Sequence, residues 1–153
     1  MRKSVDLVCV TLSSPILIGV YEDAILIDTI STDEKTSEIL PLLFEDILKK
    51  YDVQRLFYAK GPGSFMAIKI AYIFLKSLSI LKKIPLFATD AFYFNENQPI
   101  KAIGKLYFVK ISSKIQTQKL EKVPNCRFSL KNVLEYDEFD EDTTPLYAIG
   151  AVG

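Results

Sequence analysis

The chain has 153 residues, 49% of them apolar and 25% charged. That is enough for one full domain, or for two small lobes sharing a core, and too apolar for a disordered chain. Nineteen basic and nineteen acidic side chains give a formal net charge of zero, and there is no histidine. The first fact excludes holding nucleic acid by bulk electrostatics, and the second removes Ser-His-Asp and Cys-His catalysis, histidine metal sites and histidine general bases together.

Met1-Arg2-Lys3 leads into a strand pattern with no small-residue cleavage site, so the expectation is a cytoplasmic chain without a secretory leader. Val5 to Val10, Ile16 to Tyr21 and Ala24 to Asp28 are three β-type runs separated by Thr11-Leu12-Ser13-Ser14-Pro15 and by Glu22-Asp23, and they read as a meander whose second turn is a tight hairpin. Cys9 in the first run reads as a core thiol and Cys126, in a polar loop, as a surface thiol. The two are too few and too unlike for a disulfide framework or a zinc site.

Thr36 to about Tyr51 has helical spacing, with Leu40, Leu43, Phe44, Ile47 and Leu48 on one face, Thr36 as N-cap and Pro41 producing a kink. Arg55 to Ala59 is a fourth strand. It runs into Gly61-Pro62-Gly63-Ser64, where Pro62 fixes φ, Gly63 is free to take positive φ and Ser64 suits an N-cap, and a long apolar run follows to about Leu81. Strand, glycine turn and helix in that order put backbone N–H groups at the edge of a crevice, so two readings stay open: a structural turn, and a phosphate-proximal one. The loop has neither the Lys-Ser/Thr ending of a P-loop nor the span of a dinucleotide fingerprint. Lys69 and Lys76 interrupt the helix too often for a membrane span.

Around that helix Lys69, Lys76 and Lys83 cluster within about 40°, and the remaining cylinder is nearly all apolar or small. One sheet face cannot bury it all. The residual surface therefore faces the 36 to 51 helix or a second chain, and Ala67 and Ala71 would let another helix approach closely. Pro85 to Ala88 begins a fifth strand. Beyond the polar break Asn95-Glu96-Asn97-Gln98-Pro99, Lys105 to Ile111 and Ile115 to Leu120 are strand-like. Residues 95 to 131 carry eight basic and two acidic groups, and 132 to 153 carry six acidic and none basic. Glu135 to Asp142 reads as a solvated loop, with a docking site for a basic partner as the alternative.

Two stretches carry a family resemblance. Gly61-Pro62-Gly63-Ser64-Phe65-Met66-Ala67-Ile68-Lys69 is similar to the G-P-G-S-F-T-G-L-R pattern of the TsaB (YeaZ) family, with five positions identical and two conservative. Lys35-Thr36-Ser37-Glu38-Ile39-Leu40-Pro41 resembles its H-S-x-x-L-L-P segment, proline included. The resemblance runs from about Val5 to Phe94. The chain departs from the family where Thr11 stands in place of an acidic residue and Met66 in place of a threonine.

The resemblance implies an α/β, actin-like ASKHA (ribonuclease H-like) ATPase fold with a mixed sheet, a β-β-β-α-β-α first lobe at 1–94 and a shortened second lobe at 95–153. It implies a non-catalytic scaffold or activator of tRNA N6-threonylcarbamoyladenosine modification at A37. Such a chain pairs with a homologous TsaD-like catalytic subunit and engages a TsaE-like ATPase. A homodimer is a further expectation, as is tRNA contact only through the complex. No cofactor is expected on the chain alone, with ATP or ADP at the complex interface. On this reading Leu40, Phe44, Phe65, Ala67, Ile68, Ala71, Tyr72 and Leu75 form the partner interface and no residue is catalytic or metal-binding. The alternative is a nucleotide-dependent transferase using Gly61, Pro62, Gly63 and Ser64 as a phosphate loop and Asp6 or Asp90 as base. A glycoprotease reading lacks both nucleophile–base pair and metal constellation.

Overall fold

The computed structural model describes residues 2–122, 124 and 127–146. β1 (Lys3–Val10), β2 (Ile16–Glu22) and β3 (Ile25–Thr32) form the expected antiparallel meander. The hairpin turn sits one residue later than expected, on Asp23 and Ala24, with φ of 49° and 66°. Two successive positive φ values match the twist of a two-residue hairpin. Helix α1 (Thr36–Lys50) follows, then β4 (Tyr51–Ala59), helix α2 (Phe65–Lys82) and β5 (Leu86–Thr89). β4 lies parallel to β1 and β5 parallel to β4, giving a five-stranded mixed sheet in the order β3-β2-β1-β4-β5.

The two central strands are apolar on both faces because both faces are covered. Val5, Leu7 and Cys9 of β1 share a core with Leu40, Phe44, Ala71 and Leu75 of the helices, while Val8 and Val10 pack with Phe92, Phe108, Leu134 and Phe139 on the other side. That second side is roofed by a 3-10 turn (Ala91–Phe94) and an antiparallel sheet of β6 (Ile100–Ile103), β7 (Leu106–Ile111) and β8 (Lys114–Lys119). Layers of helix, sheet and sheet result. No helix among the described residues is long and apolar enough to cross a membrane.

Several sequence-based boundaries are corrected. β4 starts at Tyr51 rather than Arg55, since Tyr51, Asp52 and Val53 pair with Lys3, Ser4 and Val5, and buried Tyr51 and Val53 alternate with exposed Asp52 and Gln54. The N-cap of α1 is Lys35; Thr36 is the first helical residue and is buried. Pro41 is accommodated inside α1. β6 was not expected after Pro99.

The acidic run is a strap rather than a plain solvated loop. Leu26 N–H donates to Asn132 O at 2.9 Å, Leu134 N–H to Ala24 O at 2.8 Å, and Ala88 and Asp140 exchange two bonds of 2.9 Å each. Leu146 N–H reaches Lys60 O at 2.8 Å. The strap thus crosses from the β2–β3 end to β5 and the end of β4. Leu134 and Phe139 point into the core and the carboxylates point out. Cys126 lies outside the described residues.

Candidate functional site

The glycine turn closes the C-terminal end of β4 onto the β1–β2 connection. Ser64 N–H donates to Leu12 O at 2.9 Å, and Gly61 O accepts from Ala91 N–H at 2.8 Å. It is Gly61, not Gly63, that takes the positive φ, at 111°. Gly63 is needed for close approach, because a Cβ there would stand 3.0 Å from Leu12 Cβ and 3.1 Å from Leu12 O. Ser64 occupies the N-cap position without a side-chain capping bond. Ser64 N–H and Gly61 O thus tie the turn to the β1–β2 connection and to the 3-10 turn.

The carboxylates considered as bases are both engaged. Asp6 is buried on β1 and accepts from Arg55 Nε at 3.0 Å on one oxygen and from Tyr136 OH at 2.8 Å on the other. The Arg55 guanidinium lies 4.6 Å from the Tyr136 ring centre, and its bond to Asp6 raises its pKa further. Asp90 caps Phe92 N–H at 3.0 Å with one oxygen and holds Lys110 Nζ at 2.5 Å with the other. Beside it a crevice of about 430 Å³ at the ends of β4 and β5 is lined by Lys60, Thr89, Lys110, Ser113, Glu138 and Asp140. Lys60 is tied to Asp142 O at 2.7 Å and lies 3.7 Å from Asp140. Sequence reading passed over Lys60 and Lys110; the position of Lys60 next to a glycine turn at a strand end was the available signal.

Much of the uncovered apolar surface is on the helices, with further exposed apolar side chains at Ile25, Ile27, Ile103, Ile111 and Val133. Edge-to-face contact of Phe44 with Phe74, centroids 5.1 Å apart, joins α1 to α2. Above it an apolar groove of about 360 Å³ is lined by Leu40, Pro41, Ile70, Ile73, Phe74 and Ser77. Leu42 of α1 and Phe65, Met66, Ile73, Ile80 and Leu81 of α2 are between 51% and 79% exposed. Met66, Ile73 and Ile80 recur every seven residues, so they share one stripe, and Lys69 and Lys76 run beside it.

This corrects the interface residues expected from sequence. Leu40, Phe44, Ile68, Ala71 and Leu75 are buried within the chain itself, with Ala71 at 0% exposure. Ala67 and Tyr72 are half-buried, and of the eight only Phe65 is exposed. Helical periodicity separated apolar from polar residues on α2 but could not say which apolar stripe the sheet would take.

No family model and no curated protein sequence matches the chain. Among solved structures it is similar to YeaZ from Pseudomonas aeruginosa, with a TM-score of 0.59 over 76% of this chain and 65% of that one, at 13% identity. The fold is the actin-like, ASKHA one. A second structure, an uncharacterized protein with similarity to the peptidase YeaZ from the same organism, gives a TM-score of 0.58 over 80% of this chain and 69% of its own, at 14% identity. The chain spans about two thirds of the length of these structures.

Proposed function

We propose that this chain is a non-catalytic scaffold or activator subunit of tRNA N6-threonylcarbamoyladenosine modification. On this reading it acts in the cytoplasm by pairing with a homologous TsaD-like catalytic subunit and, through that assembly, with a TsaE-like ATPase. The observation that carries the proposal is the uncovered apolar face of α1 and α2 on a YeaZ-like fold. An exposed stripe of this length is uncommon on a monomer, and its shape suits another helix pair. Exposed Lys69 and Lys76 run beside the stripe on α2, while α1 carries exposed Glu38, Glu45, Asp46, Lys49 and Lys50, with Glu45 paired to Lys49. A partner presenting carboxylates beside its own apolar stripe would pair with Lys69 and Lys76, which favours correct register. A homodimer through the same face is the form expected when the partner is absent.

The chain supplies no chemistry in this reading. It has no histidine, Asp6 and Asp90 are engaged in structural bonds, and the Ser64 N–H is held by Leu12. The same facts weigh against the transferase and peptidase alternatives, since a serine with no base to activate it is a poor nucleophile. ATP or ADP belongs at the interface of the complex. Co-expression with the catalytic subunit followed by a mass measurement tests the proposal. A one-to-one complex is expected, and two chains that elute apart at micromolar concentration would overturn it.

A further inference from the structure

The three-stranded sheet carries most of the chain's unbalanced positive charge, and carries it at one end. Residues 100–122 hold six lysines and a single acid, Glu121. The β7–β8 turn, at Ser112 and Ser113, lies beside the crevice that Glu138 and Asp140 line, and there Lys110 is held by Asp90. The opposite end lies away from that crevice, and Glu121 is the acid of residues 100–122 that stands there. Leu106 pairs with Lys119, Tyr107 pairs with both Lys101 and Gln118, and Leu120 N–H donates to Lys105 O at 2.9 Å. With strands about 4.8 Å apart, these pairings bring Lys101, Lys105 and Lys119 within about 10–15 Å of one another, and Lys122 follows Lys119 by three residues. All four are exposed. Only Lys105 has a carboxylate partner among the described residues, Glu121 at 3.1 Å. The turn between β6 and β7 is open: a Cβ at Gly104 would meet nothing within 4 Å.

The chemistry of this end fits a polyphosphate better than a protein. Protein interfaces are depleted of lysine and anchored by buried aromatic and aliphatic groups, whereas here a single strongly exposed aliphatic side chain, Ile103, stands among four exposed lysines. Spaced ammonium groups beside an exposed amide, Gln118, are what phosphate and sugar contacts use. We infer that the Lys101–Lys105–Lys119–Lys122 end of the sheet binds the phosphate backbone of structured RNA without reading its sequence. The assignment to RNA rests on the reading of the chain as a subunit of a tRNA-modifying assembly. The exposed acids of the strap repel a polyanion, so the contact is confined to this end and orients the RNA on the complex.

The test uses the full chain and a fluorescein-labelled RNA hairpin of arbitrary sequence, followed by anisotropy across a potassium chloride series. The expected result is roughly micromolar binding at low salt, with a log–log salt slope of about −3 to −4 for three to four phosphates neutralised. Lys101→Glu, Lys119→Glu and Lys122→Glu together weaken binding at least tenfold and flatten the slope to near zero. The three corresponding Lys→Gln changes give the same direction should the first variant not fold. Absence of hairpin binding by the unmodified chain at low salt would overturn the inference, as would unchanged affinity in a folded variant. Equal binding of polyaspartate would overturn the assignment to RNA. Co-purification of the same variants with the catalytic subunit reads the earlier proposal separately, because these lysines lie on the layer opposite the α1/α2 face.

Discussion

Asp6 engages both carboxylate oxygens within the fold, and with Arg55 and Tyr136 it fastens the strap to the central strand. Removing it leaves a half-buried phenol and a half-exposed guanidinium without their carboxylate acceptor. Asp6→Ala is expected to lower stability by about 2 kcal/mol, read as a reduced urea midpoint with unchanged slope. No loss of stability would make the triad incidental. Burial pushes the Cys9 thiol pKa up to about 12, so its thiolate is scarce at pH 8. The Cys9 peptide should therefore resist iodoacetamide in the folded chain and react after denaturation, as read by mass spectrometry. Rapid native labelling would contradict the buried position of β1. The apolar run Val5 to Val10 placed Cys9 correctly in the core, but nothing in the sequence tied Asp6 to Tyr136, which stands 130 residues away. A buried carboxylate on an apolar strand is visible in sequence, while its partners depend on a tertiary contact that no local rule reaches.

At the scale of elements, α2 divides into a stripe taken by the sheet and a stripe left open. Ala71 belongs to the first, and Ala71→Arg should unfold the chain rather than detach a partner, since it would force a long cation into a fully buried site. Ile73 belongs to the second. Ile73→Arg is expected to keep the circular dichroism spectrum and the melting temperature within a few degrees while abolishing co-purification with the catalytic subunit. A folded Ile73→Arg chain that still associates would take this face out of the interface. The order of strands and helices was legible because hydrophobic period changes cleanly from two to 3.6 at Thr36 and after Ser64. The strap was not: Leu134 and Phe139 are single apolar residues in a run of carboxylates, too sparse for any period. The same limit explains β6, four residues long and preceded by a proline.

For the whole molecule, zero net charge conceals a separation of charge, with lysines at one end of the small sheet and carboxylates along the strap. The apolar α1/α2 face lies on the layer opposite the small sheet. On the proposed function the chain acts through that face, by enabling a partner's chemistry. The most direct measurement is threonylcarbamoyl-adenosine formed on tRNA by the catalytic subunit and the ATPase, with this chain absent, present, or present as Ile73→Arg. No product is expected from this chain alone, with a marked dependence of the partners on the unmodified chain and little rescue by Ile73→Arg. Product formed at full rate by the partners without the chain would contradict it.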